Sequence, residues 1–290
     1  MQCETAIILV NYNTPKKILE DCLTSLNKKE ILKNNKIVLV DNSSKNKKEL
    51  KSIKNKYSFV DFIFNKENSG FGGGNNLGIK YALKKYSPEF FYFLNTDTRV
   101  KEDFLLEAIK CIKEDNSIAI VGSNQKNFSN KFSSASADIV FKGVHYNTEF
   151  NKNKLVNWVS GAGFLIKTKI LEEVNFFDEI YNPAYYEETD LEKKCLEKGY
   201  KILFCCKSLI WHKGGGSTDF GSDYLFFIFH RNRIIYFLRY HSIWFFSLRF
   251  FYDIYKASKQ KRIKFLFKAY KKGLKLKKQK GKFLLEKEAK

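Results

Sequence analysis

A carboxylate and an amide two residues apart, Asp97 and Asn95, close the apolar run Phe90, Phe91, Tyr92, Phe93, Leu94. At a strand end such a pair can turn its oxygens toward one hard divalent cation, which takes oxygen ligands from protein and from substrate phosphates. A plain turn, or an N-cap for a helix beginning near Glu102, uses the same residue types. His212, one of four histidines, sits in WHKGGGST just after another apolar segment. Its glycine-rich surroundings allow close approach of a ligand; a structural histidine is the alternative.

A second cluster of groups is acidic. Tyr185-Tyr186-Glu187-Glu188-Thr189-Asp190 places three acids within four residues at an expected helix start. Acids in a first turn are favoured by the helix dipole. Crowded carboxylates beside aromatic rings also tend toward raised pKa values, which suits a general base. The i, i+3 spacing puts Glu187 and Asp190 on neighbouring faces, so separate roles are open to them. In NSGFGGGNN, Asn68 to Asn76, Gly70, Gly72, Gly73 and Gly74 stand just before an expected helix. Glycines let a backbone approach a ligand and a helix N-terminus attracts anions, although a merely flexible loop has the same composition. The segment fits neither the G-x-x-x-x-G-K-[ST] phosphate loop nor a dinucleotide fingerprint.

These groups need a frame. Residues 6–12, 36–41, 61–65, 90–95 and 118–123 are short apolar segments that read as strands, several without alternation and hence buried on both faces. Helical stripes lie between them. Leu19, Cys22, Leu23 and Leu26 follow Thr14 as N-cap and Pro15 at the first helical position; Ile79, Ala82 and Leu83 form a second stripe, and Leu105, Ala108, Ile109 and Ile112 a third. The alternation predicts an α/β chain with a mostly parallel central sheet and helices on both faces. Ligands bind such sheets outside the carboxyl ends of the strands, where this chain places Asn11, Asn13, Asp41, Asn42, Asn68, Asn95 and Asp97. Residues 124–157 read as loops with one hairpin. A short helix near 168–174, a helix over 187–198, a strand over 200–205 and a loop over 211–218 follow. Beyond Asp223 the pattern is helical, aromatic and basic.

The charge is unevenly spread. Of a net +21, residues 225–290 carry 19 Lys and Arg against 3 Asp and Glu, a net of +16. Aromatics between arginines, then a lysine-rich run over 256–282, suit an amphipathic helix on an anionic membrane surface. A helical pair that caps the domain is the other reading. Six cysteines without C-x-x-C spacing argue against zinc or a disulfide framework and fit a reducing compartment. No basic region precedes the short apolar run 6–10, so no signal peptide is expected, and no stretch approaches the roughly 20 uncharged residues of a spanning helix. Nucleic acid is not an expected partner, because the charge comes without a recognition motif.

Taken together, the motifs resemble the inverting family 2 glycosyltransferases of GT-A fold, in particular their rhamnosyltransferase-like bacterial branch. ILVNYN and VDNSS are similar to the family's first two strand ends, NSGFGGGNNLG to its N-x-G-[FY]-[AG]-x-[GA]-x-N segment, and LNTDT to its metal-binding D-x-D. WVSGAGFLI resembles the acceptor-side W-x-x-G-[AG] segment, YYEETDLEKKCLEKGY the [FY]-x-E-D-x-D-L helix, WHKGGGST the H-x-x-G-x-S loop and HRNRIIYFLRYH the start of a helical tail.

The resemblance implies a catalytic domain over 1–224, with a nucleotide-sugar half over 1–125 and an acceptor half over 126–224, and a basic tail over 225–290. It implies that Asp41 holds the nucleobase edge, that Asn11 and Asn13 line the nucleoside pocket, and that Asn68, Gly70 and Asn75 lie beside the donor. Asp97 would bind Mn²⁺ or Mg²⁺ on the diphosphate, with Asn95 and His212 as further ligands. Glu188 stands where the family's base, usually Asp, is found, and Glu187 and Asp190 stay open as alternatives. Trp158, Gly161 and Ala162 would face the acceptor. The implied activity is transfer from a dTDP- or UDP-sugar to a lipid-linked surface polysaccharide or lipopolysaccharide, by a cytoplasmic protein peripheral on the inner face of the membrane. Asn95 for Asp and Glu188 for Asp depart from the family pattern, so a catalytically degenerate member is one alternative; a nucleic-acid-binding protein acting through the basic tail is the other. A nucleotidyltransferase lacks its Arg-Lys activating motif here.

Overall fold

The structure is a computed structural model that describes residues 3–132, 136–140, 143–146, 151–214 and 222–277. Its elements run β1 (Thr5–Asn11), α1 (Lys16–Leu26), α2 (Lys29–Leu32), β2 (Asn35–Asp41), α3 (Lys47–Lys56), β3 (Val60–Phe64), α4 (Gly70–Tyr86) and β4 (Phe90–Asn95). Then come β5 (Thr98–Val100), α5 (Phe104–Glu114), β6 (Ile118–Lys126), β7 (Ser136–Val140), β8 (Gly143–Tyr146), β9 (Lys154–Val156), β10 (Trp158–Val159) and β11 (Gly163–Lys167). The chain continues through α6 (Thr168–Glu173), a 3-10 turn (Glu179–Tyr181), α7 (Glu187–Glu197), β12 (Lys201–His212), α8 (Asp223–Tyr240), α9 (Ile243–Lys259) and α10 (Ile263–Lys277).

The main sheet has the order β3-β2-β1-β4-β11-β6-β12-β5, with β9 beside β12. β1 to β4 run parallel, and β6 and β12 share their direction across the antiparallel β11. The expected mostly parallel sheet is therefore present, and so is burial on both faces. Ile7, Leu9, Tyr92 and Leu94 enter one core with Leu19, Leu50 and Leu105 of α1, α3 and α5. Ile8, Phe91 and Phe93 enter the other with Ile79, Ile170 and Leu191 of α4, α6 and α7. Successive strand side chains face opposite sides, so an unbroken apolar run feeds both layers.

Register aligns the strand ends that matter. Asn11 pairs with Asp41, and Val10 with Asn95, so the polar groups of β1, β2 and β4 emerge along one edge.

Four local expectations are corrected. The glycines of NSGFGGGNN lie within α4, not ahead of it. Helix α4 passes so close to its neighbours that a Cβ at Gly74 would stand 2.7 Å from Val10 Cγ1, and one at Gly70 2.7 Å from Asn182 Oδ1; Gly70 also has φ +74°. Thr14 does not cap α1, which begins after Pro15; its hydroxyl pairs with that of Thr96 at 2.8 Å. The strand expected over 200–205 continues to His212 through an irregularity between Cys205 and Leu209. The fourth is the strand expected over 118–123, which runs on to Lys126.

Candidate active site

A cleft of about 600 Å³ opens at the carboxyl ends of β1 and β4. Asn95, Thr96, Asp97 and His212 form its floor, Asn42, Asn68 and Gly70 one wall, and Ser160, Gly161, Glu187 and Glu188 another. Tyr224 and Leu225, the start of α8, belong to its rim.

The floor is assembled by β5. This strand pairs antiparallel with the end of β12, setting Thr98 opposite His212, and the Lys213 amide donates to the Asp97 carbonyl at 3.0 Å. His212 Nε2 then lies 3.2 Å from Asp97 Oδ1 and 3.4 Å from the Asn95 side-chain amide. Carboxylate, imidazole and amide converge, and the amide can turn its oxygen inward because only its partners fix its orientation. Mn²⁺ and Mg²⁺ accept this donor set when phosphate oxygens and water complete the shell. No group of three His, Cys, Asp or Glu side chains able to hold an ion by itself is present among the described residues. The residues therefore fit an ion that arrives with, or is completed by, a phosphorylated substrate.

Asn42 organises the facing wall. Its amide donates to Asn68 Oδ1 at 3.1 Å and to the Gly70 carbonyl at 2.8 Å, while its oxygen accepts from Asn65, from the Ser69 amide and from the Ser69 hydroxyl. One buried side chain thus holds the turn into α4.

Across the cleft, Glu187 is 4% exposed and Glu188 is the more open of the two. Burial, then the like charge of Glu188, pushes the Glu187 pKa well above the ordinary carboxylate range, and the Arg231 guanidinium offsets part of this. Burial also raises that of Glu188. Both carboxyls are thus shifted toward their protonated forms, and the deeper Glu187 more strongly than Glu188. Gly161 gives Glu188 its room, since a Cβ there would stand 3.2 Å from Glu188 Cγ.

The segment ahead of these acids is held from α8. Tyr185 and Tyr186 both adopt positive φ, 74° and 76°, which costs about 1–3 kcal/mol each. Asn232, fully buried, donates to the carbonyls of Ala184 and Tyr185 at 2.8 Å and also reaches that of Tyr181. Arg231 donates to the carbonyls of Tyr181 and Asn182 and, through Nε, to Asn232 Oδ1 at 2.8 Å. Asn232→Ala removes this donor from the Ala184 and Tyr185 carbonyls, while that of Tyr181 keeps Arg231. It is expected to cost about 1–3 kcal/mol in thermal unfolding. Steady-state kinetics should then show kcat falling about tenfold or more with the donor KM little changed, because the donor wall is untouched. A proportionate rise in donor KM would mean that α8 shapes the donor wall instead.

Of the site residues expected from sequence, Asn68, Gly70, Asn95, Asp97, Gly161, Ala162, Glu187, Glu188 and His212 meet in the cleft. The others do not line it. Asp190 is fully buried and accepts from Tyr181 and Tyr240, with Arg239 and Lys194 as ion partners at 3.1 and 2.9 Å, so it anchors α8 to α7. Trp158 donates to Thr189 Oγ1 at 3.1 Å and braces the first turn of α7. Asn75 is buried and donates to the Phe71 carbonyl within α4. Asp41 is occupied locally, accepting from Asn11 at 2.8 Å and from the Ser44 amide at 3.2 Å. Asn13 accepts from the Lys45 amide at 2.9 Å. Asp41, Asn11 and Asn13 together fix the turn that presents Tyr12 to the cleft. Gly215 to Thr218 of the histidine loop lie outside the described residues.

Sequence reasoning missed Thr96, the hub role of Asn42, and the Arg231-Asn232 pair. The last had a signal: the four-residue polar run His230 to Arg233 inside the otherwise apolar helical stretch FFIFHRNRIIYF.

An α/β sheet with a polar cleft across its strand ends, an acid pair on one wall and a carboxylate-imidazole floor is the GT-A arrangement of the glycosyltransferases. The chain belongs to glycosyl transferase family 2, whose sequence profile matches residues 6–174. It is 24% identical over 241 residues, 80% of this chain and 75% of that protein, to the low-salt glycan biosynthesis hexosyltransferase Agl10 of Haloferax volcanii. Among solved structures it resembles GalNAc-T7 with UDP, GalNAc and Mn²⁺, at TM-score 0.62 and 15% identity over 81% of this chain and 50% of that one. It also resembles the mannosyltransferase PcManGT from Pyrobaculum calidifontis in complex with GDP-Man and Mn²⁺, at TM-score 0.58 and 13% identity over 82% of this chain and 64% of that one. The chain thus spans between half and about two thirds of these solved proteins. The profile match stops before Glu187, Glu188 and His212, so that half of the site rests on the structure.

Proposed function

We propose that the chain is a metal-dependent inverting glycosyltransferase, moving a sugar from a nucleotide-diphosphate donor to a hydroxyl of a lipid-linked glycan. The observation that carries this is one cleft lined both by the converging side chains of Asp97, His212 and Asn95 and by Glu188. Family membership and the nucleotide-sugars and Mn²⁺ of the structural relatives support it.

Asp97, His212 and Asn95 would hold Mn²⁺ or Mg²⁺, which when bound neutralises charge on a departing diphosphate. Glu188 is placed to accept the proton of the acceptor hydroxyl. That oxygen then bonds to the anomeric carbon as the bond to the diphosphate breaks on the opposite face, which inverts the centre. Asn68 and Gly70 flank the donor on the wall set by Asn42. The rhamnosyltransferase-like motifs favour a dTDP- or UDP-sugar. A surface polysaccharide or lipopolysaccharide precursor as acceptor places the protein peripherally on the inner face of the cytoplasmic membrane.

Thermal unfolding with UDP-, dTDP-, GDP- and CMP-sugars, each with and without Mn²⁺, tests the donor half of this proposal. Stabilisation by one nucleotide class, strengthened by the ion, is the expected result. The same melting temperature with every nucleotide would sink it.

A further inference from the structure

The outer face of the C-terminal helices carries an arrangement that sugar transfer leaves unused. Trp244, Leu248, Phe251 and Tyr255 recur along α9 at the i, i+4, i+7 and i+11 spacing of one helical face. All four are exposed, Trp244 at 79% and Phe251 at 68%. The inward side of α9 is already engaged: Arg249 and Asp253 pair with each other, and Asp253 with Arg233 of α8, all buried. The aromatic surface continues onto α10, because the Phe250 ring lies 5.7 Å from Phe251 and 6.3 Å from Phe267, itself half exposed.

The charge beside this stripe has one sign. Lys256, Lys259, Lys264, Lys268, Lys271 and Lys275 are exposed. The single acid between 225 and 277 is Asp253, buried in its ion pairs. Ammonium groups border the rings directly, Lys259 Nζ at 4.5 Å from the Tyr255 centroid and Lys264 Nζ at 5.0 Å from that of Phe265. A second copy of the chain would set lysine against lysine. A phosphodiester backbone would satisfy the lysines but leave Leu248 and Ile263 without apolar contact. An anionic bilayer surface meets both requirements, with rings and aliphatics at the headgroup boundary and ammoniums on lipid phosphates.

We propose that the α9–α10 face docks on an anionic lipid surface, with Trp244, Leu248 and Phe251 entering the interface and the lysines holding phosphate headgroups. The helices lie along that surface, since no helix among the described residues is long and apolar enough to cross a membrane. Helix α8 links docking face to cleft: its first residues rim the cleft and its last turn leads into α9. This deepens, and in that sense rests on, the reading of a lipid-linked acceptor, because acceptor anchor and enzyme would share one surface.

Co-sedimentation of the full chain with vesicles, in the absence of donor and acceptor, tests the proposal. Binding to phosphatidylcholine vesicles containing phosphatidylglycerol is expected to exceed binding to phosphatidylcholine alone by at least about tenfold, and to weaken as salt rises. The double variant Trp244→Ser, Phe251→Ser should bind about tenfold more weakly with an unchanged melting temperature, since both side chains are exposed. Equal binding to both vesicle types overturns the proposal, as does undiminished binding by the double variant. So does failure to sediment with either vesicle, whether the stripe proves to close a dimer that the variant dissociates or the tail binds single-stranded RNA instead. A chain unable to transfer sugar can still pass this assay, so failure of docking and failure of the transfer reading are separable.

Discussion

Asp97→Ala is expected to lower kcat/KM for sugar transfer by at least about a thousandfold while leaving the melting temperature of the ligand-free protein within a few degrees. The size follows from charge. With Asn at position 95, Asp97 is the one acidic side chain of the cleft floor among the described residues. Removing it takes away the strongest attraction for a divalent cation there. The small structural effect follows from the backbone, since the Lys213-to-Asp97 hydrogen bond uses the carbonyl and survives in Ala. The variant should also lose the Mn²⁺-dependent part of any nucleotide-induced stabilisation. Asn95→Asp is the complementary change. A second carboxylate should tighten Mn²⁺ binding in the absence of nucleotide, readable by isothermal titration. Transfer within a few-fold of wild type in Asp97→Ala would remove Asp97 from the metal site.

How much of this was legible in the sequence depends on the range of the interactions. The strands were readable because residues such as Phe90 to Leu94 carry their burial in their own composition. The cleft floor was readable in part: Asn95 and Asp97 are neighbours, but their meeting with His212, more than a hundred residues away, requires β5. Three residues are too few to show a period, and Thr98–Val100 is a strand only because the end of β12 lies beside it. The glycines of α4 misled for a related reason. Glycine is a poor helix former locally, yet here it is required by a close approach to Val10 and Asn182 that only the tertiary fold creates. Asp190 was indistinguishable from Glu187 and Glu188 by spacing. What separates it is Arg239, on a helix that the sequence assigned to the tail.

That separation makes the acid cluster testable residue by residue. Glu188→Gln should reduce kcat by about 10²–10⁴-fold with little effect on donor binding, because an amide cannot accept the acceptor proton. In the wild-type enzyme the base works only when ionised. Burial raises its pKa, so activity should fall with decreasing pH at a higher pH than an exposed glutamate would produce. The acid limb of the kcat profile is therefore expected above the ordinary carboxylate range, and residual transfer by Glu188→Gln should lack it. Glu187→Gln should keep most of the activity, since Glu187 sits deeper than its neighbour and its pKa is pushed up further. Burial and backbone hydrogen bonds, not Glu187, set the Glu188 pKa, so the limb should stay near its wild-type position. Asp190→Asn should leave the limb where it is and act on stability instead, lowering the melting temperature through the loss of the buried carboxylate's ion pairs with Arg239 and Lys194. If Glu187→Gln abolished the limb while Glu188→Gln retained it, the base would be Glu187, and Glu188 would be the residue whose charge tunes it.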